Sequence, residues 1–133
     1  MIHSLFAIAF LVPNYEEGLS FFCDVLGFEV VEDADLGHDK RWVAVAPAGG
    51  RGATLILAVP GGDRRQRARI GDQTGGRVGY FLLTSDFQTD HETLRARGVR
   101  FLEEPRQERY GRVAVFVDPW GGKWDLLQPT DVT

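Results

Sequence analysis

LVPNYEEGLSFFCDVLGFEVVED, Leu11 to Asp33, punctuates one complete structural unit. An apolar run ends at Val12. Asn14 has the short polar side chain of a helix N-cap, and Glu17, three positions on, completes a capping box. Tyr15, Leu19, Phe22 and Leu26 follow at helical spacing, and Gly27 closes the helix. Around it the alternation of apolar residues predicts strands over Ile2–Val12, Phe28–Glu32, Arg41–Ala46 and Ala53–Val59. The order is β-α-β-β-β.

The same order returns in the second half. Val78–Thr84 reads as a strand, and Asp86 caps a helix that carries Phe87 and Leu94 and stops at Gly98. Strands follow at Val99–Glu103, Arg112–Val117 and Lys123–Gln128. The helix-closing glycines, and the prolines that end each half (Pro60 and Pro129), recur at an offset of roughly 70 residues, as an internal duplication requires. Between the halves lies PGGDRRQRARIGDQTGGR, glycine-rich at both ends, whose middle is predicted to form a short helix capped by Asp63. The expected organisation is a single domain, 1–133, with module one at 1–60, a linker at 61–76 and module two at 77–130.

Composition narrows the partners. The chain has 133 residues, 44% of them hydrophobic, and a formal net charge of −4, which suits one domain with a sizeable core. A mildly acidic balance gives no reason to expect nucleic acid. The single cysteine, Cys23, cannot form an internal disulfide, so a reducing cytoplasm is the expected location. Its apolar helical neighbours point to a buried, inert thiol. Met1–Val12 is apolar but has no basic leader and is too short to span a bilayer, so no membrane association is expected. Arg64, Arg65, Arg67 and Arg69 in the linker read as a solvated face, with a lid attracting an anion as the alternative.

LVPNYEEGLSFFCDVLGFEVVED resembles the opening of the vicinal oxygen chelate superfamily, which includes glyoxalase I, bleomycin-resistance proteins and extradiol dioxygenases. GVRFLEEPRQERYGRVAVFVDPWGGKWDLLQP, Gly98 to Pro129, resembles its second half. The resemblance implies an α+β fold of two βαβββ modules, forming a curled, incomplete eight-stranded barrel around a cavity. It also implies a homodimer. Metal-using members carry a ligand on the first and last strand of each module. Those positions here are Ala7, Ile56, Gly79 and Asp125, and three of the four side chains have no donor atom. Slipping the alignment by one residue supplies no standard ligand set. His3, His38 and His91 show no close ligand spacing, so no metal and no cofactor are expected.

Strand parity then proposes a site. If Asp125 faces inward, Lys123 and Leu127 do too, while Trp124 and Leu126 face the helix. Pairing Asp118 with Lys123 across DPWGGK would set Phe116 opposite Asp125, with Ala114 and Arg112 on the same face. Matching the halves adds Trp42, Ala44 and Ala46. Ala7 and Gly79 bring in Leu5, Ala9, Leu11 and Phe81. Such a face is mostly small, and the room left beside Trp42, Phe81 and Phe116 suits a small molecule. The expected ligand-binding residues are Trp42, Phe81, Phe116, Asp125, Arg112 and Tyr110.

Asp125 has two readings. It is a polar orienting group or general base at the pocket wall, or it is held structurally by Arg112, Lys123 or the Tyr110 hydroxyl. The function expected is metal-free binding of a small hydrophobic or aromatic molecule. The alternatives are a glyoxalase- or dioxygenase-type enzyme with a displaced metal, using Asp125 and His3, and a metal-independent enzyme with Asp125 as base.

Overall fold

A computed structural model of the chain describes residues 1–49 and 51–130. By internal contacts the chain divides into two units, Met1–Ile70 and Gly71–Thr133. The linker segment is therefore shared between them.

In the first unit β1 (Ala7–Leu11) leads to α1 (Tyr15–Leu19), and β2 (Phe28–Gly37), β3 (Lys40–Pro47) and β4 (Thr54–Ala58) complete the sheet, in the order β1-β4-β3-β2. β1 runs parallel to β4 and the other pairs are antiparallel. Asn14 caps α1 as its sequence predicts: its Oδ1 accepts from the Glu17 backbone amide at 2.8 Å, and its side-chain Nδ2 donates to the Glu17 carboxylate. The helix is not uniform, however. Ser20–Val25 form a π-helical turn, closed where the Leu26 amide donates to the Phe21 carbonyl. The extra residue in that turn rotates both Phe21 and Phe22 into the core, where Phe22 packs edge-on against Phe10. Leu19 and Leu26, two of the positions helical spacing selects, are only half-buried. Gly27 ends the segment at φ 79°, a left-handed conformation that glycine adopts without a Cβ penalty.

Two other boundaries differ from the sequence expectation. Residues 1–6 precede the first strand and are exposed, so Ile2, His3 and Leu5 lie outside it. β2 also runs on past the expected end at Glu32, as far as Gly37. β2 and β3 meet in a two-residue turn, with His38 and Asp39 at φ 55° and 63°, the left-handed pair that suits the twist of a tight hairpin.

The short helix α2 (Arg64–Arg67) is capped by Asp63, and its arginines are exposed.

In the second unit β5 (Val78–Leu83) precedes α3 (Phe87–Ala96). β6 (Arg100–Phe101), β7 (Arg106–Glu108), β8 (Gly111–Val117) and β9 (Lys123–Pro129) follow, with the sheet order β5-β9-β8-β6 and β7 also pairing with β8. β6 and β7 are one strand interrupted at 102–105. Pro105 has no amide to give a ladder, and the chain leaves the sheet there. Counted as one strand, they make this module βαβββ like the first. The fold is therefore mixed α+β, two such modules built on curled, open sheets.

α3 covers one face of the second sheet. An unbroken series of aromatic contacts runs from Phe87 through His91, Phe101 and Phe116 to Trp124 and Tyr80. Gln128 Oε1 accepts the Phe87 amide at 2.9 Å, tying the helix start to β9. Among the described residues no helix is long and apolar enough to cross a membrane.

Candidate ligand site on the second sheet

The hairpin β8–β9 determines which side chains accompany Asp125. Val117 pairs with Lys123, so the turn holds Asp118–Gly122, one residue more than the sequence reading allows. Asp118 organises it. Its carboxylate accepts from the amides of Trp120 (3.0 Å) and Gly122 (2.9 Å) and from the Trp124 indole (2.9 Å). A one-residue change of register moves every side chain to the other face. Phe116 therefore lies opposite Trp124, and Asp125 opposite Val115.

This corrects two of the expected ligand residues. Phe116 is fully buried on the α3 face and does not share a face with Asp125. Arg112 goes with it. Paired with Gln128, it lays its guanidinium 5.0 Å from the centre of the Phe87 ring. Ala114, opposite Leu126, is on that face too.

Asp125 itself points away from α3. Its parallel neighbour on β5 is Phe81, and Leu83 stands opposite Leu127 two pairs further on, on the same face. Phe81 and Leu83 are 62% and 71% exposed, whereas Asp125 is only 9% exposed. Oδ1 of Asp125 is buried and makes no hydrogen bond. Burial pushes this carboxyl above the usual carboxylate range, a shift opposed by the charge of Arg106 and reinforced by that of Glu103.

Glu103 and Arg106 belong to a cluster that the sequence reading did not include. Arg106 pairs with Val113 across β7–β8, on the same face as Val115 and Asp125. Its Nε donates to both oxygens of Glu103, at 2.9 and 3.1 Å, and its Nη1 donates to Glu108 at 2.7 Å. These contacts, with Tyr110 as a further partner, hold the guanidinium firmly protonated. Glu103 Oε2 also accepts the amide of Val115, the cross-strand neighbour of Asp125. Tyr110 thus approaches Arg106, in an exposed turn, rather than Asp125. The signal available in the sequence was Pro105, which marks the strand break that lets Glu103 fold back over β8.

Trp42 belongs to the first module. It pairs with Ala34, 37% exposed, on the face that carries Ala44 and Ile56, away from Phe10, Leu57 and α1. Ala7 and Ala9 share that face, paired with Thr54 and Ile56. The registers Ala9–Ile56 and Phe81–Asp125 correspond, so Ile56 is the first module's counterpart of Asp125.

The donor set does not suit the superfamily's metal. Ala7, Ile56 and Gly79 offer no donor atoms, and among the described residues no three His, Cys, Asp or Glu side chains converge. An open depression of about 630 Å³ in the first module is polar, lined by Tyr15, Asp33, Asp35, His38, Asp39 and Arg41. Its centre is the Arg41–Asp33 ion pair at 2.6 Å, with Arg41 over the Tyr15 ring. These are exposed groups that satisfy one another. Cys23 is half-buried, and burial raises its thiol further from ionisation.

The geometry can be set beside known proteins. An uncharacterized protein of Shewanella frigidimarina (strain NCIMB 400) is 42% identical over 132 residues, 98% of this chain and 97% of that one. TnmS3, an antibiotic binding protein from Streptomyces sp. CB03234, superposes with a TM-score of 0.76 at 28% identity, covering 97% of this chain and 98% of its own. A superfamily member from Sphaerobacter thermophilus DSM 20745 superposes with a TM-score of 0.76 at 29% identity, covering 96% and 98%. The family model matches residues 4–126, and the chain belongs to the glyoxalase/bleomycin resistance protein/dioxygenase superfamily.

Proposed function

We propose that this chain binds a small hydrophobic or aromatic molecule on the face of the second sheet that carries Asp125 and Phe81, without a metal. One observation carries the proposal: a carboxylate nine-tenths buried, with an unpartnered oxygen, beside two exposed apolar side chains. A folded chain gains nothing from such a group, because an unmet buried acceptor costs about 1–3 kcal/mol. A ligand that covers Phe81 and donates to Oδ1 recovers that cost and removes apolar surface from water. The antibiotic-binding role of TnmS3 supports the same class of function.

The test is amide NMR on the purified protein with a library of small aromatic compounds. Binding should shift the amides of Phe81, Val115 and Asp125, and Asp125→Asn should weaken it while leaving the melting temperature nearly unchanged. A library that moves none of those amides refutes the proposal. Stoichiometric zinc, nickel, iron or manganese held at Asp125 after purification without added metal refutes its metal-free part.

The same apolar exposure supports a homodimer. β1 and β5 each end their sheet, and Ile8 on one and Phe81 and Leu83 on the other are open to solvent. Sedimentation at micromolar concentration should give twice the chain mass, and a monomer there overturns this. The lone cysteine supports a cytoplasmic setting.

A further inference from the structure

Resting on the binding role proposed above, the geometry points to a site that selects by charge: it takes an aromatic molecule bearing an ammonium group and rejects the matching carboxylate. The selection comes from how Arg106 is held. An arginine beside an apolar face is ordinarily an anion receptor, because its planar fork matches a carboxylate. Here the guanidinium already has two carboxylate partners, which more than offset its charge. Nε is shared between both oxygens of Glu103, and Nη1 is taken by Glu108. Glu103 is itself held by the Val115 amide, which keeps its charge beside the guanidinium. Two carboxylates surround one cation, and the cluster carries excess negative charge.

Asp125 adds to that excess. It lies across β8 from the cluster, opposite the same Val115, and the charges that act on it are those of Arg106 and Glu103. Its Oδ1 has no donor of its own. A ligand carboxylate arriving there would meet a second acceptor and a cluster whose net charge is already negative. An ammonium would supply the missing donor and offset the charge, with its ring against Phe81.

Phenethylamine and 3-phenylpropionate, of similar shape and opposite charge, separate the possibilities. Titrated into the intact protein at neutral pH, the amine should bind at least about tenfold more tightly, the size of one charge-assisted hydrogen bond. Asp125→Asn should reduce that preference to about threefold or less. Glu108→Gln, at the exposed end of β7, should loosen the hold on Arg106 and strengthen phenylpropionate binding. If phenylpropionate shifts the Phe81 and Asp125 amides at equal or lower concentration than the amine, the charge selection is wrong while the binding site stands. If neither compound moves those amides, both the selection and the site fall.

Discussion

The rings of Phe116 and Trp124 stack across β8 and β9, with centroids 5.9 Å apart and planes 12° from parallel. That contact holds the hairpin in the register that puts both rings under α3 and leaves Asp125 on the other face with Phe81. Phe116 is completely buried, as is Val113 on the same strand.

Phe116→Ala should therefore cost about 3–5 kcal/mol of stability, through lost burial and the cavity left beside Trp124 and Phe101. Thermal or urea unfolding measures it. A variant that unfolds like the parent but loses ligand binding would return Phe116 to the binding face.

Asp125→Ile gives the second module the residue that Ile56 supplies to the first. It removes a buried acceptor that has no donor, so the variant should gain about 1–3 kcal/mol. It should also lose binding of any ligand held by Oδ1. A fall in melting temperature instead would mean that the carboxylate is held by a structural partner.

Asp118→Asn tests the turn. The amide oxygen can still accept from Trp120 and Gly122, but its NH₂ would then face the Trp124 indole, donor against donor. The cost should be about 1–3 kcal/mol. A neutral result would show that Asp118 does not organise the turn through these bonds.

His91 should make the second module acid-sensitive. Burial, with Arg95 and Arg112 nearby, lowers its pKa below the ordinary 6.5, against the weaker pull of Glu104 and Glu92. The unfolded chain therefore takes up the proton first as pH falls. Stability is unaffected well above 6.5, declines as pH drops from there towards the lowered folded value, and levels off below it. His91→Phe, which keeps an aromatic ring between Phe87 and Phe101, should flatten that decline. Unfolding curves across the interval check it, and an unchanged slope would remove His91 as the cause.

The duplicated architecture was legible because it is written in residues whose roles are local. Asn14 and Asp86 cap helices through their own side chains, and Gly27 and Gly98 end them in backbone conformations that glycine favours. That Asp125 faces opposite to Trp124 and Leu126 was legible too, because strand alternation follows from backbone geometry alone. The π-helical turn after α1 was not legible. Phe21 and Phe22 are both buried there, whereas the helical stripe through Tyr15, Leu19, Phe22 and Leu26 leaves Phe21 off the core side.

What the sequence alone determined is thus the order of elements, the repeat, and the loss of donors at Ala7, Ile56 and Gly79. These depend on residue identity and on neighbours a few positions away. Only the tertiary structure decided which residues keep Asp125 company. The Asp118 turn takes in one more residue than its sequence suggests, which sends Phe116 and Arg112 to the helix face. The break at Pro105 folds Glu103 back to Val115 and brings Arg106 into the neighbourhood of Asp125. Both outcomes rest on carboxylates that hold backbone amides, Asp118 within the turn and Glu103 on β8, and a single residue of register in the hairpin exchanges the two faces of a sheet.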